Sequence, residues 1–132
     1  MKAKMGKEVV VRVHNEIGVL GQLAKIIADK GVNILAVCAG VEGADAVVRM
    51  ITDDNLRVMD VLNEKHYSPR ETGVVVMEAP HKPGMLRHIT GKLGEKGIDL
   101  HHLYATAPAD QDSILIAFAS ANNDQAIVLL SD

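Results

Sequence analysis

A segment of this chain occurs twice. Setting Val13-His14-Asn15-Glu16-Ile17-Gly18-Val19-Leu20 above Ala79-Pro80-His81-Lys82-Pro83-Gly84-Met85-Leu86 aligns Gly18 with Gly84. The same spacing matches Leu23 with Ile89, Ile27 with Leu93, Lys30 with Lys96, Gly31 with Gly97, Val32 with Ile98, Asn33 with Asp99 and Ile34 with Leu100. Apolar residues fall on apolar residues, glycine on glycine and an amide on its acid, so the chain is an internal duplication. The boundary is expected near Ser68-Pro69-Arg70-Glu71, dividing the chain into domains at 1–70 and 71–132. Units of this size bury only ~60% of their unfolded surface and are marginal alone, so pairing of units and of chains is expected.

Each copy has the same grammar. Residues 8–14 alternate around Val9, Val11 and Val13, a strand pattern rich in β-branched residues. After the polar loop 15–18 the period changes. Leu20, Leu23, Ile26 and Ile27 fall on one helical face, and Gly31 is expected as the C′ residue. Strands are predicted over 33–40 and 46–51, around a turn at Glu42-Gly43-Ala44-Asp45. Asp53-Asp54 is expected to cap a second helix with Leu56, Met59 and Leu62 inward, and 67–72 to be a weak fourth strand that runs into the next unit. The second copy predicts strand 74–79, helix 85–96, strand 98–107, turn 108–112, strand 113–119 and a helix from Asn123. No fourth strand follows, so the second unit is expected to be truncated or completed by another chain. The fold class is α+β: two tandem ferredoxin-like βαββαβ units with antiparallel sheets.

Composition removes several function classes. The net charge is -3 with no basic stripe, and aromatics are 2% of the chain, so neither a phosphate backbone nor stacked bases find a surface. No apolar run approaches the ~20 residues of a membrane span, and no signal core follows Met1. The single cysteine, Cys38, excludes an internal disulfide and fits a reducing compartment; the cytoplasm is expected. Cys38 itself reads as a small core residue on its strand. His101 and His102 are adjacent and face opposite sides of a strand, and no His or Cys spacing matches a metal site. Neither Asp53-Asp54 nor Asp110-Gln111-Asp112 flanks a cleft as general acid–base chemistry requires. No phosphate loop, nucleophile elbow or dinucleotide fingerprint is present. No cofactor and no catalysis are expected.

The corner itself is suggestive. Glycine at a helix start lets backbone N–H groups approach a ligand, and unpaired first-turn amides at the positive dipole end suit a carboxylate. Amides of Val19-Leu20 and Met85-Leu86 are the expected donors. The bland reading of Gly18 and Gly84 is turn geometry, and of Asn15 an N-cap. Asn33 and Asp99 are expected to fix the strand start through local bonds.

The segment VRVHNEIGVLGQLAKIIADKGVNILAVCAG, residues 11–40, resembles the signature of the ACT domain family. It has the strand, the glycine-ended loop Asn15-Glu16-Ile17-Gly18, the helix, and Gly31-Val32-Asn33-Ile34 opening the next strand. Pro83-Gly84 and Gly97-Ile98-Asp99-Leu100 repeat it in the second copy. The resemblance implies a non-catalytic regulatory module that binds a small amino acid at the strand–helix loops where units pack. The implied site is Asn15, Glu16, Ile17, Gly18, Val19 and Leu20, with His81, Lys82, Pro83, Gly84, Met85 and Leu86. In such domains the loop Asn often orders the ligand, and Asn15 holds that position. Ile17 stands where the family usually has Pro, and His81 replaces the Asn, so the two loops are not equivalent. An amino-acid metabolic enzyme is a partner this reading allows, and the open sheet edges of such units, with the last strand of the second unit missing, predict a homodimer. The alternative is an oligomerisation module or regulatory subunit of a biosynthetic enzyme, its pocket vestigial.

Overall fold

In the computed structural model, which describes residues 1–107, 109 and 112–131, the elements follow the duplicated order. They are β1 (Lys2–His14), α1 (Val19–Ala28), β2 (Ile34–Glu42), β3 (Asp45–Thr52), α2 (Asn55–Glu64), β4 (Arg70–Pro80), α3 (Met85–Glu95), β5 (Leu100–Thr106), β6 (Ser113–Ser120) and α4 (Asn123–Leu130). Of the turn expected at 108–112, Pro108, Asp110 and Gln111 lie outside the described residues. The chain has the α+β, ferredoxin-like architecture anticipated from its pattern.

The residues group into two compact units, Lys7–Thr72 and Met1–Gly6 with Gly73–Asp132. The first six residues thus count with the second copy. There they supply the strand that the second copy seemed to lack. β1 is longer than the alternation at 8–14 suggested, and its first half runs beside β4. Met1 and Ala3 pack against that unit's core, and the Ser131 hydroxyl donates to the Ala3 carbonyl at 3.2 Å. β4 is continuous from Arg70 to Pro80, so the fourth strand does run into the next unit as expected, though it starts at Arg70 rather than at Tyr67.

In the unit Lys7–Thr72 the strand order is β2-β3-β1, all antiparallel. Val9 and Val11 pair with Met50 and Val48, and these four face the helices. Leu23 and Ile27 of α1 are wholly buried against them, one helical turn apart, so Leu23→Ala would cost about 2–5 kcal/mol. Leu20, expected inward, is 45% exposed because it precedes that stripe by three residues at the open end of the helix. α2 buries Val58, Val61 and Leu62, while Leu56 is 73% exposed on the far side. The left-handed residue after α1 is Gly31 (φ 72), two positions past the Asp29 C-cap and one beyond the expected C′ position.

The other unit has the order β1-β4-β6-β5. Val75 and Met77 pair with Phe118 and Ile116, and α3 and α4 cover them with Ile89, Leu93, Ala126 and Leu130. Gly6 lies against β4 so closely that a Cβ there would meet Val76 Cγ2 at 2.7 Å.

Candidate functional site

The two glycine corners have one geometry. Gly18 has φ 86 and ψ 1, and Gly84 has φ 86 and ψ 0, both left-handed and both the N-cap of their helix. Only glycine takes this conformation without steric cost. Neither cap uses a side-chain bond, so Asn15 is not an N-cap. The helix starts are closed by the backbone instead: Val19 N–H donates to Glu16 O at 3.1 Å, and Met85 N–H to Lys82 O at 3.3 Å. Those two amides, expected to serve a ligand, are therefore already engaged. Gln22 and His88 N–H then open the helical ladder on Gly18 O and Gly84 O.

Each corner is tied to its own β-hairpin. Asn15 N–H donates to Ala44 O at 2.9 Å, and His81 N–H to Asp112 O at 2.7 Å. In the first corner Asn15, Glu16, Ile17 and Gly18 are all exposed, and Ile17 is as open as in an extended chain. The second corner differs. A cavity of about 390 Å³ lies against it, lined by Met1, Pro80, Lys82, Gly84, Met85 and His88. A second hollow of about 470 Å³ shares Met1 and Pro80 and adds Glu78 and Asp112. One hollow thus carries Lys82 and His88, with the α3 N-terminus beside it, and its neighbour carries two carboxylates together with Lys2. Of the implied residues, Lys82, Pro83, Gly84 and Met85 line this space; His81 and Leu86 are exposed next to it. His88 follows Gly84 by one helical turn, a spacing legible in the sequence; Met1, Glu78 and Pro80 had no such signal.

Other candidates resolve into structure. Asp53, expected as a helix cap, instead accepts from Asn33 N–H at 3.0 Å and from Asn33 Nδ2 at 3.2 Å, so Asn33 is held by a distant carboxylate rather than by a local bond. Asp54 is the cap, accepting from Arg57 N–H. Cys38, expected in the core, is exposed because β2 is the edge of its sheet. His102 and Tyr104 stack on β5 with centroids 6.3 Å apart. Among the described residues no cluster of His, Cys, Asp and Glu could hold a metal ion, and no helix is long and apolar enough to cross a membrane.

No protein-family model matches the sequence, and no curated protein does. Solved structures do. Protein BT0572 from Bacteroides thetaiotaomicron aligns with 97% of this chain and 88% of its own, at TM-score 0.89 and 23% identity. The aspartokinase alpha and beta subunits align over 98% of this chain and 95% of theirs, at TM-score 0.69 and 16% identity. The ligand-free regulatory subunit of aspartate kinase from Thermus thermophilus does so over 98% and 94%, at TM-score 0.69 and 9% identity. With the paired glycine corners and two βαββ-α cores, these likenesses establish that the chain has the ACT-type fold in two tandem copies.

Proposed function

We propose that this protein is a non-catalytic regulatory module that binds a small amino acid at the Gly84 corner. The reading is supported above all by the paired hollows around Met1 and Pro80. Lys82 and the α3 N-terminus offer an α-carboxylate its counter-charges and His88 a ring nitrogen within the same hollow, while Glu78 and Asp112, with Lys2 in the same lining, offer carboxylates to an α-ammonium group. A zwitterion is the ligand that needs both. The Leu86 amide is the main-chain donor for the carboxylate at this corner, and Leu20 its counterpart at the other.

Ligand binding would then favour one state of the module over another and so alter an amino-acid metabolic enzyme in the cytoplasm. Isothermal titration against a panel of amino acids tests this. Saturable heat from at least one of them is expected, and silence across the panel at millimolar concentration would remove the proposal. A second reading fits the first corner, where Ile17 stands open and no proline stiffens the loop: that copy is a vestigial site kept for scaffolding. Co-purification with an enzyme, without any ligand-induced rise in Tm, would extend that reading to the whole chain.

A further inference from the structure

A third hollow, of about 410 Å³, opens on the other face of the sheet in the unit that holds the Gly84 corner. Met1 and Ala3 pack with the helices, and Val75 and Met77 lie in their core. Alternation along β1 and β4 therefore turns Lys2, Lys4, Val76 and Glu78 to the opposite face. Leu115 pairs with Glu78 and joins them there. Val76 and Leu115 make an apolar floor, and the Cα atoms of the two lysines stand about 6–7 Å apart along the strand beside it. Among the described residues neither lysine makes an ion pair, and nor does Glu78.

The three hollows adjoin one another around the strand ends. Met1 and Pro80 line both of those at the Gly84 corner. Lys2 and Glu78 line both the one that carries the carboxylates and this third. A path thus leads from the α3 N-terminus past Asp112 and Glu78, then over Val76 and Leu115 towards Lys4. The first copy is built otherwise. Arg12 holds the place of Glu78 there, and its guanidinium is engaged by Asp45 at 3.2 Å and Glu42 at 3.5 Å.

We infer that the ligand of the Gly84 corner is an amino acid with an acidic side chain, a methylene stem ending in a carboxylate, and that the third hollow receives it. This rests on the reading of that corner as an amino-acid site. With the α-carboxylate at Lys82 and the α-ammonium at Glu78 and Asp112, the charges left along the path are Lys2 and Lys4. A carboxylate at the end of the stem meets two cations, whereas a second ammonium meets two like charges. A wholly apolar side chain covers the floor and leaves both cations unanswered. The methylenes of an acidic one cover the same floor and bring the counter-charge with them.

L-α-aminoadipate, L-norleucine and L-ornithine share one propylene stem and differ only in its end: carboxylate, methyl or ammonium. In isothermal titration of the full chain, aminoadipate is expected to bind about tenfold more tightly than norleucine, the worth of one exposed charge-assisted bond, and ornithine most weakly. Lys2→Met combined with Lys4→Met, both at exposed positions, should erase that preference with circular dichroism unchanged. Lys82→Met should instead weaken all the ligands alike, because it meets the α-carboxylate they share. Ornithine binding as tightly as aminoadipate, or a preference that survives the double variant, overturns the inference and leaves the amino-acid site standing. Silence from these three while other amino acids bind overturns it in the same way. Silence from every amino acid tried removes the site and the inference together.

Discussion

Asn55 and Asn123 make the same bonds in their separate units. The Asn55 side-chain oxygen accepts from the Thr52 backbone N–H at 3.2 Å and from its hydroxyl at 2.6 Å, while Nδ2 donates to Lys7 O at 3.1 Å. Asn123 does so with Ser120 at 2.9 and 2.8 Å and with Gly73 O at 3.2 Å. One amide thus fastens the end of a third strand and the start of a helix to the first strand of the unit. Replacing either by alanine strands both a backbone amide and a carbonyl, and a loss of about 1–3 kcal/mol is expected in urea unfolding. Asn55→Asp keeps the acceptor but removes the donor to Lys7 O; it should be destabilised too, which an isosteric, purely packing role would not predict.

Gly18→Ala and Gly84→Ala test the corners. A Cβ at either position meets nothing within 4 Å, so the expected cost is that of the left-handed backbone alone, about 1–2 kcal/mol each. Equal losses of stability at the two sites, read from denaturation midpoints, would confirm that the corners are conformational equivalents.

Gly6 makes the opposite case, because its limit is space rather than φ. Gly6→Ala would drive a Cβ into Val76 and should cost about 1–3 kcal/mol. The double variant with Val76→Ala should recover part of that loss, and an additive double-mutant cycle would show the contact to be unimportant.

The proposed ligand site predicts an asymmetry. Lys82→Met should weaken amino-acid binding about tenfold, the loss of one exposed charge-assisted bond, while Asn15→Ala at the open first corner should change the titration little. Reversal of the two effects would move the site to the first copy.

The legible part of the fold was the part encoded locally. Apolar spacing marks α1 and α3 because a helix repeats every 3.6 residues, and Gly18 and Gly84 mark their starts because few other residues accept their backbone angles. The candidate loops were visible for that reason. Leu56 was misplaced since its spacing fits two faces of α2, and only the packing of Val58, Val61 and Leu62 decides which is inward. The matched bonds of Thr52–Asn55 and Ser120–Asn123 escaped notice because the repeat distance changes after β5, so the motifs fall out of alignment. Asp53 looked like a helix cap because nothing local shows a carboxylate reaching back twenty residues to Asn33.

By itself the sequence determined that there are two copies, that each has a glycine-led helix after its first strand, and that the class is α+β. These are local properties of backbone angle and periodicity. Tertiary structure alone decided that Met1–Gly6 completes the second unit, that Met1 and Pro80 wall the cavity beside Gly84, and that β2 is left open. Pairing between segments some seventy residues apart depends on which backbone donors and apolar faces remain unmatched once everything nearer has packed. No stretch of sequence carries that information on its own.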